Sequence, residues 1–80
     1  MKTAVITGAS GGIGSATALA FAKDGYNVVL QYNNSQDKAL ALAKKIENET
    51  NSTALPVKAD VSSSQEVTFL FDEVENRFGN

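Results

Sequence analysis

The sequence predicts an α/β fold in which three parallel strands alternate with three helices. Two observations carry this. Short apolar runs rich in β-branched residues stand at Lys2–Thr7, Asn27–Tyr32 and Thr53–Ala59, and each is followed by a stretch with apolar residues at helical spacing. Turn-forming residues separate the segments: a glycine-dense loop at residues 7–14, then Asp24-Gly25, Asn33-Asn34-Ser35, Ser62-Ser63-Ser64 and Gly79. Consecutive strands joined through a single helix run parallel with right-handed crossovers.

Taken in order, Lys2–Thr7 is continuously apolar rather than alternating, the pattern of a strand covered on both faces. A helix follows from about Gly12, with Ile13, Ala16, Thr17, Ala20 and Phe21 on the face expected to meet the sheet. Asp24-Gly25 ends it, Gly25 taking the position just past the last turn. Asn27–Tyr32 is the second strand, and Asn33-Asn34-Ser35 is a loop that also caps the next helix. That helix reaches about Thr50, with Ala39, Leu42, Ala43 and Ile46 as its buried row. Pro56 cannot donate a ladder hydrogen bond, which places the third strand, Thr53–Ala59, at a sheet edge. Ser63 and Glu66 have capping-box spacing, and Val67, Leu70, Phe71, Val74 and Phe78 form the apolar stripe of a third helix ended by Gly79.

Composition narrows the function classes. Eighty residues make at most one small domain, with a net charge of −2 spread along the chain, a balance that argues against a nucleic-acid or membrane surface. No apolar run is long enough to span a membrane, and Met1-Lys2 leads directly into a strand, so a cytoplasmic location is expected. Three Asn-x-Ser/Thr triplets, at Asn33, Asn48 and Asn51, would matter only in a secreted chain. Without His or Cys these residues hold no ordinary zinc site, cysteine nucleophile or histidine base.

The chemistry concentrates in Thr7-Gly8-Ala9-Ser10-Gly11-Gly12-Ile13-Gly14. A glycine-rich turn that ends a strand and opens a helix aims bare backbone N–H groups and the positive end of the helix dipole at an anion. A phosphate-binding P-loop would need Lys after Gly14, where Ser15 stands. Gly8-x-Ser10-x-Gly12 has the spacing of a nucleophile elbow, but that device needs several strands upstream and Ser10 has only nine residues before it. A turn that merely reverses the chain is the bland alternative. The setting favours a dinucleotide site in a Rossmann-type, three-layer fold, with a parallel sheet of order 3-2-1 as the amino-terminal half of a doubly wound arrangement.

Thr7-Gly8-x-x-x-Gly12-x-Gly14, together with Asp60-Val61 just after the third strand, resembles the cofactor motifs of the short-chain dehydrogenase/reductases. The resemblance runs the length of the chain and is strongest to 3-oxoacyl-(acyl-carrier-protein) reductase-like members. Gly11 also satisfies Gly8-x-x-Gly11-x-x-Gly14, the spacing of a longer branch; the neutral loop after strand two and the place of Asp60 favour the shorter one. The resemblance implies that Gly8 makes the tight turn, Gly12 lets the pyrophosphate approach and Gly14 allows close packing, with Ser10, Gly11 and the Ile13 backbone beside the phosphates. It implies that Asp60 and the Val61 N–H receive the adenine; a helix-capping carboxylate is the alternative for Asp60. Tyr32 and Asn33 lie where the ribose is read, and with no acid at Gln31–Asn34 the cofactor expected is NADP, with NAD as the alternative.

The family's catalysis needs a Ser and a Tyr-x-x-x-Lys pair, but Tyr26 is followed four residues on by Leu30 and Tyr32 by Gln36. The chain is therefore expected to be a dinucleotide-binding half-domain, residues 1–80, cut before a fourth strand and inactive alone. In the complete protein the implied partners are a nicotinamide cofactor, a carbonyl or alcohol substrate and further copies of the chain. The other reading is a stand-alone binding or regulatory module without catalysis.

Overall fold

A computed structural model describes residues 2–79. Its elements are β1 (Thr3–Ile6), α1 (Gly12–Lys23), β2 (Asn27–Tyr32), α2 (Gln36–Glu49), β3 (Ala54–Lys58) and α3 (Ser64–Phe78). All the expected elements are present; β1 and β3 are each one residue shorter at either end, and β2 has the expected bounds. The three strands form one parallel sheet in spatial order β1-β2-β3, the expected 3-2-1 arrangement. Thr3 pairs with Asn27 and Ile6 with Leu30 on one side of β2; Val28 pairs with Ala54 and Tyr32 with Lys58 on the other. Pro56 accordingly sits in an edge strand, where its missing N–H costs no ladder bond.

Alternation along the central strand divides the core into two layers. Val28 and Leu30 face α1 and α2, packing with Ala18, Ala22, Leu42, Ala43 and Ile46. Val29 faces α3, packing with Val57, Ala59, Leu70 and Val74. Leu30, Ile46 and Leu70 are among the largest fully buried side chains, each worth about 1.5–3 kcal/mol of apolar burial. The α2 row Ala39, Leu42, Ala43 and Ile46 is buried as predicted.

Two helix faces differ from expectation. On α1 the buried residues are Ala18 and Ala22, with Leu19 partly covered. Ile13 is 87 % exposed, and Phe21 turns outward to meet the Tyr26 ring edge-on at 5.0 Å. The reason is local: Gly14 is held against the Gly8 carbonyl, so the row Gly14-Ala18-Ala22 faces inward and the Ile13 side of the helix faces out. On α3, Leu70 and Val74 are buried and Phe78 packs against them, but Phe71 is 55 % exposed. The capping box is half made. Ser63 Oγ accepts from the Glu66 N–H at 3.4 Å, while the Glu66 carboxylate reaches past Ser63 to the Asp60 N–H at 2.9 Å. Gly79, at φ 73°, ends α3 with its N–H on the Glu75 carbonyl.

Candidate functional site

All three strands point their carboxyl ends at one place, and the loops leaving them enclose a cleft of about 440 Å³. Thr7, Gly8 and Ser10 line it from the loop after β1, Gln31, Tyr32, Asn33, Asn34 and Ser35 from the end of β2, and Asp60 and Val61 from the loop after β3. This is the crevice where ligands sit in open parallel sheets.

The glycine loop takes its shape from main chain. Gly8 has φ 63°, a conformation a side chain resists. Gly11 N–H donates to the Gly8 carbonyl at 3.1 Å, and Ser15 N–H to the Gly11 carbonyl at 2.9 Å. The Ser15 hydroxyl lies 2.9 Å from the Ala9 carbonyl and 2.7 Å from that of Gly11, tying the turn to the helix it opens. A Cβ on Gly14 would come within 2.3 Å of the Gly8 oxygen, so only glycine fits there. At Gly12 a Cβ would meet nothing within 4 Å: that face of the loop is open. No side chain caps the start of α1, and the first amides of a helix have no partner within it. Gly12, Ile13 and Gly14 therefore carry the first amides of α1, with open space beside Gly12, an arrangement whose donors suit an anion such as a pyrophosphate.

The loop after β3 is shaped by side chains. Asp60 Oδ1 accepts from Ser62 N–H at 2.9 Å and from the Ser62 hydroxyl at 2.6 Å, closing a tight turn. These bonds, the hydroxyl's first, hold the Asp60 carboxyl below its ordinary pKa. One carboxylate oxygen thus serves the turn rather than capping α3, whose cap is Ser63, while the residue still lines the cleft beside half-exposed Val61. Tyr32 is buried at the cleft wall and Asn33 is exposed beyond it.

The site therefore gathers Gly8, Ser10, Tyr32, Asn33, Asp60 and Val61 around one cleft, with Gly11, Gly12, Ile13 and Gly14 in the loop and helix start beside it. It also includes Gln31, read from sequence only as a neutral residue. Its signal was a lone amide at the end of an otherwise apolar run, Val28-Val29-Leu30. Among the described residues no three His, Cys, Asp or Glu side chains cluster to hold a metal, and no helix is long and apolar enough to cross a membrane.

A parallel sheet with a glycine turn at the head of its first crossover helix defines the dinucleotide-binding class of α/β folds. Residues 2–80 match the family described as short chain dehydrogenase, and the chain belongs to that family. It is 39 % identical over 79 residues to 3-oxoacyl-[acyl-carrier-protein] reductase FabG of Staphylococcus epidermidis, covering 99 % of this chain and 32 % of that protein. The hydroxynaphthalene reductase-like protein Arp2 of Metarhizium brunneum is also 39 % identical, over 99 % of this chain and 29 % of its own length. Among solved structures, an alcohol dehydrogenase from Thermococcus sibiricus complexed with 5-hydroxy-NADP superposes with a TM-score of 0.91 at 40 % identity, over 100 % of this chain and 34 % of that one. L-sorbose reductase from Gluconobacter frateurii, complexed with NADPH and L-sorbose, also gives 0.91, at 35 % identity over 99 % of this chain and 30 % of its own. The chain thus spans about a third of the length of the relatives it matches.

Proposed function

We propose that this chain is the dinucleotide-binding part of an NADP(H)-dependent oxidoreductase that interconverts a carbonyl and an alcohol, with 3-oxoacyl thioesters as the substrate class. The carrying observation is the cleft at the strand ends, with the open face of Gly12 and the free end of α1 on one side and Asp60-Val61 on the other. The cofactor, when bound, supplies or accepts the hydride at its nicotinamide ring. The chain's own residues bind and orient it: the amides at the start of α1 take the pyrophosphate, and Asp60 and the Val61 N–H take the adenine. Residues 1–80 form a half-domain that leaves proton transfer to residues it does not contain, since neither Tyr26 nor Tyr32 has a Lys four positions on. Substrate reductases of this kind from Staphylococcus epidermidis and the NADP-type ligands of the two solved relatives support the reading. We place the working protein in the cytoplasm as a homo-oligomer.

Gly12→Val tests the site. In the protein as its gene encodes it, the valine fills open space, so the fold survives while calorimetry shows NADP affinity reduced about a hundredfold or more, as expected when a bulky group displaces a charged ligand. Unchanged affinity refutes the assignment. For the cofactor, neutral Tyr32, Asn33 and Asn34 leave room for a 2′-phosphate. Asn33→Asp should move the preference from NADP towards NAD by about tenfold or more through repulsion of that phosphate. A higher kcat/KM with NAD in the unaltered protein contradicts the NADP preference.

A further inference from the structure

We infer that Gln31 is a positioning residue for the cofactor: its buried carboxamide locks the glycine loop to the Asp60 turn and so sets the spacing of the cleft's two walls. The inference rests on the cofactor reading above and extends it to a residue that contacts the loops rather than the reacting atoms.

Gln31 is 4 % exposed on the central strand, whose preceding residues, Val28, Val29 and Leu30, are all buried and apolar. An amide is a poor filler for such a place unless both of its ends are bonded. Here both are. Oε1 accepts from the Gly8 N–H at 2.8 Å, and Nε2 donates to the Ala59 carbonyl. Only one orientation of the amide satisfies both partners, because Gly8 offers a donor and Ala59 an acceptor.

The positions of those partners matter more than their number. Regular pairing of β1 with β2 stops at Ile6 and Leu30, and that of β2 with β3 at Tyr32 and Lys58. Gly8 and Ala59 lie just past those ends, at the start of the two loops that face each other across the cleft. The Gln31 main-chain carbonyl adds a bond from Ala9 N–H at 3.1 Å, and the Tyr32 carbonyl one from Ala59 N–H at 3.0 Å. From its place on β2 the side chain therefore ties together the two segments that leave β1 and β3 just past their last ladder pairs. It fixes Gly8, the turn before the pyrophosphate cradle, relative to Ala59, the residue before Asp60. An aliphatic side chain of equal length would leave the Gly8 N–H and Ala59 carbonyl unpaired, and Asn is one methylene too short to bridge them.

Two variants and one measurement on the unaltered protein separate positioning from simple stabilisation. Glu at this place keeps an acceptor for Gly8 but, when ionised, aims a negative oxygen at the Ala59 carbonyl; when protonated, its O–H restores the donor. The other titratable groups lining the cleft are Tyr32 and Asp60, and the Asp60 carboxyl is already held low by Ser62. In proteins shown to be folded by circular dichroism, well below their melting temperatures, Gln31→Glu should bind NADP⁺ about tenfold more weakly than the unaltered protein at pH 8 and recover as pH falls. Gln31→Met should show a similar loss with no recovery. In the unaltered protein without cofactor, the Gly8 amide should exchange its hydrogen slowly while the Gly12 amide exchanges fast. NADP⁺ affinity unchanged in both variants, no pH-dependent recovery in Gln31→Glu, or fast exchange at Gly8 each overturns the inference while leaving the cofactor reading intact. An unaltered protein that binds neither NADP⁺ nor NAD⁺ overturns both.

Discussion

The two loops that face each other across the cleft reach their shapes by opposite means. The loop after β1 is defined by side chains it lacks: Gly8 turns at positive φ, and Gly14 lies where any Cβ would strike the Gly8 carbonyl. The loop after β3 is defined by side chains it has, with Asp60 gripping Ser62, Ser63 receiving the Glu66 amide and Glu66 gripping the Asp60 amide. The first takes its shape largely from main-chain sterics and neutral hydrogen bonds, which a change of pH does not alter. The second is built from exposed polar bonds, so it tolerates changes of size and responds to changes of charge.

The largest effect expected from this contrast is Gly14→Ala. The new methyl would stand 2.3 Å from the Gly8 oxygen and 2.9 Å from its carbon, both main-chain atoms that cannot swing aside. Overpacking of this kind costs about 3 kcal/mol, and equilibrium urea unfolding should show it; calorimetry should show the proposed cofactor binding lost as well. Gly12→Ala is the matched control: its Cβ meets open space, and in the first turn of a helix it should leave stability within about 1 kcal/mol. Equal stabilities for the two variants would remove the steric half of the contrast.

The smallest effect belongs to the opposite wall. Ser62→Ala removes the hydroxyl that is the main reason the Asp60 carboxyl titrates low, so a carbon-detected NMR titration should show the Asp60 pKa rising towards its ordinary value of 3.8. The sign for stability follows: a carboxyl depressed in the folded state contributes fully above its unfolded pKa, and the contribution is lost as pH falls through the folded value. The Asp60 turn should thus hold at neutral pH and loosen in acid, while the glycine loop does not. An Asp60 pKa unmoved by Ser62→Ala would show that the turn does not depend on that hydroxyl.

The same contrast explains what could be read from sequence. Glycine positions are legible because the reason for them is an absence, and absence shows in the letters: Gly8 makes a turn at positive φ and Gly14 packs where no Cβ fits. The strand order was legible too, because Pro56 and the one-helix connections leave few topologies. The inward face of α1 was not. Alanines at 16, 18, 20 and 22 make that helix apolar nearly all round, so two stripes compete and composition cannot choose. What chooses is the contact between Gly14 and Gly8, and a reading that started from Gly14 would have found Ala18 and Ala22 at steps of four. Glu66 was misassigned for a related reason. The capping-box spacing gives its reach but not its target: the Ser63 N–H is already taken by the Asp60 carbonyl at 3.0 Å, and the turn brings the Asp60 N–H within range of the carboxylate instead. Gln31 escaped notice as a site residue because its role depends on two partners more than twenty residues away on either side.

The central place of β2 also bears on how the chain finds its fold. Each parallel pairing joins residues about two dozen positions apart, Thr3 with Asn27 and Val28 with Ala54, so neither can form as a local hairpin. Both closures share one partner. A segment that has docked one neighbour has already surrendered its own chain entropy, and the second neighbour joins a strand already in place. The transition state for folding should accordingly be centred on Val28-Val29-Leu30, with one crossover helix docked and the other strand arriving late. Truncations within β2 should slow folding, whereas truncations in the last strand to join should mainly quicken unfolding.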